Sequence, residues 1–197
     1  MALGQDSEQQ SACHKAAEHG PVAQGCDAQL LQRPLVMWVG KLGPKGYWQW
    51  VEQPAGGHPR FFAHPLLEQV TKTPWWVVPL IWGPVFVGSA ALAKTQHSWP
   101  LPALLALLAA GVVLWQLLEY LIHRFAFHSQ PSSYWGITLH FLFHGCHHKF
   151  PSDALRLVMP PLPALGFALA VYSSLHAALP ASIALPLFAG AGLGYIS

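Results

Sequence analysis

Long apolar stretches without charge fill much of the chain and predict membrane-spanning helices. Residues 75–93 and 101–118 contain no charged side chain, and each approaches the ~20 apolar residues that a helix needs to cross a hydrocarbon core. The connection between them, residues 94–100, is short, so we expect the second helix to return beside the first. Pro79 and Pro84 predict a kink in the first helix, which membrane helices tolerate.

The last 41 residues, 157–197, are also uncharged. This stretch is too long for a single helix, and the Leu179-Pro180 step offers a break because the residue before proline avoids helical dihedral angles. We therefore expect a third span near Leu162–Leu179 and a fourth from Ala181 to the end. The pattern predicts an all-α fold: an integral membrane helical bundle of about four transmembrane helices.

The first 72 residues have a different pattern. Residues 1–33 are polar and contain no apolar signal-peptide region, so we interpret them as a flexible cytosolic tail. Residues 34–197 form the single remaining domain. Within residues 34–72, Trp38, Trp48 and Trp50 are expected in the lipid headgroup region, and residues 66–72 are expected to form a short interfacial helix.

Composition supports a membrane protein and excludes a nucleic-acid-binding one. Only 9% of residues are charged, 53% are hydrophobic and the formal net charge is +2. A protein that binds nucleic acid needs a basic stripe, and none is found. The 3 cysteines are too few for a disulfide framework.

The distribution of basic residues predicts the orientation in the membrane. Two spans return the chain to its starting side, so residues 34–72 and residues 119–156 should share one face, with only Lys94 opposite. The positive-inside rule makes that face cytosolic. Its basic residues are Lys41, Lys45, Arg60, Lys72, Arg124, Lys149 and Arg156.

Six of the chain's 12 histidines lie between residues 119 and 156. Imidazole is the commonest transition-metal ligand among side chains because it offers a nitrogen lone pair near neutral pH. His144 shares a helix face with His147 and His148, three and four residues later, and His140 lies one turn earlier. Phe150-Pro151 should end this helix. The six residues are His123, His128, His140, His144, His147 and His148.

His123 and His128 need a special geometry to act together. Five residues on a regular helix separate two side chains by about 140°, so these rings converge only if the helix bends, loosens or ends between them. Glu119, one turn before His123, is placed to orient its ring. The alternative is that these are ordinary interfacial histidines at the edge of a bilayer. That interpretation is adequate for any single histidine but does not explain the spacing of the whole cluster.

The segments HRFAFH and HFLFHGCHHKFPSDALRLVMPP resemble the fatty acid hydroxylase superfamily, and most closely its fatty acid 2-hydroxylases of sphingolipid metabolism. LVMWVGKLG, RFFAHPLLE and TKTPWWVVP extend the resemblance, which covers about residues 34–197. The histidine boxes alone are shared with sterol desaturases, carotenoid hydroxylases and acyl desaturases. The segments RLVMPP and TPWWVVP narrow the resemblance to the fatty acid 2-hydroxylases.

The resemblance implies the chemistry and the setting. It implies O₂-dependent 2-hydroxylation of long-chain fatty acyl groups for ceramide synthesis, two iron ions that zinc could replace, and cytochrome b5 with its reductase as electron donors. It places the multi-pass chain in the endoplasmic reticulum membrane with a cytosolic histidine-box cap. Many relatives carry an N-terminal cytochrome b5 domain, but we expect no haem-binding domain in this chain. Glu119 and His140 are assigned supporting roles around the metal. The ligands carried over by position are His123, His128, His144, His147 and His148.

The chain departs from the family at its end. The family continues past LGYxxYD to a HYxxHHG box and a later HxxHH box, whereas this chain stops at LGYIS. We therefore expect a C-terminal truncation with an incomplete dinuclear site. The alternatives are another histidine-box lipid enzyme, such as a sterol or acyl desaturase, and a non-catalytic metal-binding membrane fragment.

Overall fold

The computed structural model describes residues 33–197, so almost all of the predicted tail lies outside the described residues. Across that range the chain is helical and contains no β-strand. The all-α prediction is confirmed. The described residues divide into two compact units, residues 33–72 with 129–157 and residues 73–128 with 158–197.

The first unit contains short helices joined by loops and turns. Its first half consists of α1 (Val36–Val39), a 3₁₀ turn (Gly40–Leu42), α2 (Gly43–Val51) and α3 (Pro65–Gln69). Its second half consists of α6 (Tyr134–His140), a π-helical turn (Phe141–Gly145) and α7 (Cys146–Lys149).

Aromatic side chains form the core of this unit. Trp50, Tyr47 and Phe141 are fully buried, and Trp38 packs edge-on against Trp50 with ring centroids 5.3 Å apart. Trp50 therefore packs inside the protein, whereas a tryptophan of an aromatic belt faces lipid headgroups. Tryptophan suits both a membrane interface and a protein core, and here the rings of Trp38, Phe141 and Phe150 surround it.

The second unit consists of four longer helices. They are α4 (Val77–His97), α5 (Leu101–Leu121), which continues as a π-helical segment (Ile122–Phe127), α8 (Pro161–Ala178) and α9 (Ala181–Ile196). By length and composition, α4 and α5 with its extension are apolar enough to cross a membrane. The helices α8 and α9 occupy the places of the expected third and fourth spans, and the break between them falls at Leu179-Pro180 as predicted.

The first span is longer than expected. The helix continues past Ala93 to His97 and carries Lys94 in its last turn, so only residues 98–100 connect it to α5. The ammonium group of Lys94 donates to the Trp99 carbonyl oxygen at 2.6 Å, and a cation near a helix C-terminus is favourable. The sequence pattern predicts that the helix ends before Lys94, but in the structure the helix includes Lys94 and ends at His97.

Small residues bring α5 and α9 into close contact. A Cβ atom at Gly111 would overlap the carbonyl oxygen of Leu187 and lie 2.8 Å from backbone atoms of Gly190 and Ala191. Small residues allow such close backbone approach between helices in a membrane. Much of the opposite surface is apolar and exposed, as in Val113, which is 68% exposed.

Gly111→Ala should destabilise the second unit. The added methyl group forces two backbones apart, and overpacking of this kind costs about 1–3 kcal/mol. The measurement is the free energy of unfolding in detergent, followed by circular dichroism. The control is Gly166→Ala in α8, where an added Cβ meets nothing within 4 Å; it should be neutral or stabilising because alanine has the higher helix propensity. Equal effects of both changes would contradict the close contact.

Candidate metal centre

The first histidine pair lies where α5 widens into its π-helical segment. The backbone N–H of His128 donates to the carbonyl oxygen of His123 at 3.1 Å, which is the five-residue hydrogen bond of a π-helix. Residues five apart then stand one above the other, and the His123 and His128 Nε2 atoms lie 3.0 Å apart. The sequence analysis required the helix to bend, loosen or end between these two residues, and in the structure it loosens into a π-helix.

An open cleft of about 730 Å³ surrounds this pair within the second unit. Glu119, which the sequence places one turn before His123, lines it, and so does the cation Arg124. The cleft therefore combines imidazole nitrogens, one carboxylate and one guanidinium group beside apolar rings. Its lining residues are Gln116, Glu119, Tyr120, His123, Arg124, Phe125 and His128.

The second histidine group lies in the first unit, on α6, its π-helical turn and α7. The Nε2 atoms of His144 and His148 lie 2.8 Å apart, and the rings of His144 and His147 have centroids 6.2 Å apart. His144 is buried whereas His148 is exposed. The helix ends at Lys149, directly before Phe150-Pro151, as predicted.

Within each pair, the two histidines present the same ring nitrogen, Nε2, to one point. Two nitrogens that each lie about 2.1 Å from a metal ion, with a right angle at the ion, are ~3.0 Å apart. The separations found in the two pairs, 3.0 Å and 2.8 Å, are close to this distance. The same separation also suits an N–H···N hydrogen bond between neutral imidazoles. The donor set is entirely nitrogen and suits iron or zinc, so the residues present fit a transition metal.

Cys146 lies between His144 and His147 in the sequence but belongs to the protein core. It is buried, and its thiol donates to the Leu142 carbonyl oxygen at 3.8 Å. Burial raises the pKa of this thiol to about 12, so it is protonated at neutral pH, whereas a metal-binding cysteine is a thiolate. Cys146 therefore packs in the core of the first unit and is not among the candidate metal ligands.

A buried ionic cluster follows the second histidine group. Arg156 donates to a Glu68 carboxylate oxygen at 2.5 Å and to an Asp153 oxygen at 2.7 Å, and its guanidinium group lies 4.1 Å from the centre of the Phe61 ring. Charge pairing of Arg156 with Glu68 and Asp153 therefore fixes this loop.

The two carboxylates are held in the charged form. Burial alone raises the pKa of Glu68, but N–H bonds from Phe62 and Phe61 and the charge of Arg156 outweigh it, so the pKa lies below its ordinary value. Burial likewise raises the pKa of Asp153, but hydrogen bonds from His58 and Arg156 lower it by more. The pKa of Asp153 therefore also lies below its ordinary value. Both groups are therefore ionised at neutral pH.

Sequence reasoning missed Tyr47 and Glu68. Glu68 is the one acidic residue in the apolar run PLLEQV, and its side chain turns inward to Arg156 while Leu66 and Leu67 face outward. Tyr47 lies in an aromatic-rich segment that was interpreted as interfacial. Its hydroxyl group is 2.6 Å from His140 Nδ1, a contact that nothing in the local sequence indicates.

Known proteins resemble this chain along most of its length, although no family model matches it. A dihydroceramide fatty acyl 2-hydroxylase of Arabidopsis thaliana is 42% identical over 89% of this chain and 73% of its own length. Human fatty acid 2-hydroxylase is 39% identical over 84% of this chain, which spans 49% of that protein. Among solved structures, full-length scs7p, with only its hydroxylase domain visible, superimposes with a TM-score of 0.77 at 37% identity, covering 84% of this chain and 65% of that one.

Arg156→Met should destabilise the first unit and change its response to acid. Removing one partner of a buried ion pair costs about 3–5 kcal/mol. In the parent chain the carboxylates stabilise the fold above their ordinary pKa values, 4.5 and 3.8, and this contribution is lost as the pH falls through their lowered values. Acidification from about pH 5 to pH 3 should therefore cost the variant less.

The measurement is the free energy of unfolding in detergent as a function of pH. Lys45→Met is the matched control, because Lys45 belongs to the same unit and is exposed; it should unfold like the parent chain at every pH. An Arg156→Met profile parallel to that of the parent would contradict the role of the cluster.

Proposed function

The chain belongs to the fatty acid 2-hydroxylase family, and from this premise we propose that it hydroxylates long-chain fatty acyl groups at C2 for sphingolipid synthesis. One observation in the structure supports this most directly. Both histidine segments that resemble the family motifs bring Nε2 atoms within 3.0 Å of each other. A hydrogen bond between neutral imidazoles fits the same separation, so it is the recurrence of the pair in both motif segments that supports a metal.

The metal ligands we propose are the five histidines predicted from the sequence. Breaking an unactivated C–H bond requires an oxidant that no side chain supplies, and a metal that activates O₂ provides it. We propose two iron ions in this role, because imidazole suits iron and two ions can share the required electrons. The ligands are His123, His128, His144, His147 and His148.

The positions of the helices suggest how the substrate is oriented. We propose that α8 and α9 cross the bilayer together with α4 and α5, giving four spans with the histidine segments on the cytosolic side. An acyl chain lying among such helices has its carbonyl end at the headgroup level, so that C2 is held near the metals. Positioning of this kind provides regiospecificity.

Reduced cytochrome b5 and its reductase are the electron donors that we propose, in the endoplasmic reticulum membrane. Insertion of one atom of O₂ leaves the second atom to be reduced to water, and this consumes two electrons and two protons. A haem protein that approaches the cytosolic face can deliver these electrons one at a time.

His144→Ala should remove most of the bound metal and the 2-hydroxylated product. The change deletes one nitrogen of the closest pair, and His148 cannot replace it. The purified chain is analysed for iron and zinc by mass spectrometry, and membranes with reductant are incubated with a long-chain fatty acid or a ceramide under ¹⁸O₂. The expected product carries one ¹⁸O atom at C2.

His64→Ala is the control, because His64 is exposed and directly precedes a proline in extended structure. It should retain both metal and product. Unchanged metal content in His144→Ala would rule out the proposed ligands. A desaturated product, or one hydroxylated elsewhere, would indicate another enzyme of the superfamily, and metal without any product would favour a non-catalytic protein.

The proposed orientation predicts which loops a membrane-impermeant maleimide can reach in sealed microsomes. Ser152→Cys should be labelled because residue 152 is exposed and lies on the proposed cytosolic side. Gln96→Cys, at the far end of α4, should be protected until detergent is added. The background is the chain with Cys13→Ser and Cys26→Ser. Labelling of residue 96 but not of residue 152 would show the inverted orientation.

A further inference from the structure

The hydroxyl group of Tyr47 makes a buried polar contact inside an otherwise aromatic core. Tyr47 is fully buried on α2, and its hydroxyl oxygen lies 2.6 Å from Nδ1 of His140 on α6. The two residues are 93 positions apart in the sequence. Buried polar groups of this kind are costly unless they are paired, so the contact specifies how α2 and α6 pack together.

This hydrogen bond occupies one ring nitrogen of His140. A tyrosine hydroxyl group donates or accepts according to the tautomer of the imidazole that it meets, and in either tautomer one hydrogen lies between the Tyr47 oxygen and Nδ1. Through Nδ1, His140 is therefore tied to Tyr47 rather than to a metal ion.

Gly145 makes room for the tyrosine. A Cβ atom at residue 145 would overlap the Tyr47 hydroxyl oxygen and lie 3.1 Å from His140 Nδ1 and 3.2 Å from a Val51 methyl group. Any other residue would displace the hydroxyl group from His140. Gly145 directly follows His144, so this tight contact lies next to a proposed ligand.

The ring of His140 in turn contacts the histidine group. Its centroid is 6.0 Å from that of His144, edge-on at 86°, and 5.0 Å from the Trp48 ring, which faces it at 64°. His140 is therefore held between the α2 aromatic residues and His144. A shift of its ring changes the space in which His144 sits.

From these contacts we infer that Tyr47 is a positioning residue of the metal centre: through its hydrogen bond to His140 it holds the His144 ring in its ligand orientation, in the space that Gly145 leaves open. This inference rests on the proposed function and extends it to a residue outside the histidine motifs. Residues that orient a metal ligand typically contribute 10–100-fold to metal affinity.

Titration of the purified chain with Co²⁺ in detergent tests the inference. Cobalt binds nitrogen ligands, and its visible absorption reports their geometry. Tyr47→Phe removes only the hydroxyl group and should weaken Co²⁺ binding about 10–100-fold, with a change in the absorption band. The matched control is Tyr134→Phe in the same unit, whose hydroxyl group donates to the Met37 carbonyl oxygen at 3.2 Å; its Co²⁺ affinity should equal that of the parent.

A second pair of variants separates positioning from general stability. His140→Asn keeps an amide group where Nδ1 meets the Tyr47 hydroxyl group, and an amide can donate or accept this hydrogen bond. The variant should therefore bind Co²⁺ more tightly than His140→Ala. This comparison also decides the matter if Tyr47→Phe does not fold. Equal affinity in the two His140 variants overturns the inference, as does parent-like affinity in a folded Tyr47→Phe variant.

His144→Ala distinguishes the inference from the function on which it rests. Cobalt binding that survives this change overturns the proposed metal centre and the inference with it. Loss of binding in His144→Ala, together with unaltered binding in Tyr47→Phe, overturns only the role of Tyr47 and leaves the proposed ligands in place.

Discussion

The arrangement of histidine side chains along helices constrains this molecule more than any other feature. Two imidazoles can present a nitrogen to one point only if their residues stand one above the other. A spacing of four residues achieves this for His144, at the end of a π-helical turn, and His148, on α7, whose Nε2 atoms lie 2.8 Å apart. Five residues do not, so the backbone between His123 and His128 adopts the wider π-helical turn, with Nε2 atoms 3.0 Å apart. Such turns are rare and frequently occur at functional sites.

A helix that departs from regular geometry needs support from its surroundings, and the first unit provides it on both sides of the histidine group. Before it, the Ser133 side chain accepts the Gly136 N–H at 3.1 Å and caps α6. After it, the cluster of Arg156, Glu68 and Asp153 anchors the loop that follows α7. An ion pair of this kind is worth little at a surface, but removing one partner of a buried pair is costly. The cluster therefore restricts where α7 can end.

The second unit is stabilised in a different way. Its outward surface is apolar, which in a bilayer provides no driving force for helices to associate. Contact between α5 and α9 depends on shape instead, because Gly111 lets the two backbones meet. On α4, Phe86 also packs against α9, with its ring centre 5.5 Å from that of Phe188. The same helix α5 continues into the π-helical segment with the first histidine pair. The helix that packs closely against α9 is therefore the same helix that carries the proposed ligands His123 and His128 at its end.

The sequence by itself determined the helical class, the break at Leu179-Pro180, the end of α7 before Pro151 and the identity of the clustered histidines, because each follows from local backbone preferences or from composition. Only the tertiary structure decided whether His123 and His128 meet and whether Trp50 is buried. It also decided two distant contacts, that of Tyr47 with His140 and that of Glu68 with Arg156. These last contacts join residues 93 and 88 positions apart. Apolar periodicity shows which side chains are buried but not which of them touch, because partners are selected by the packing of the whole unit.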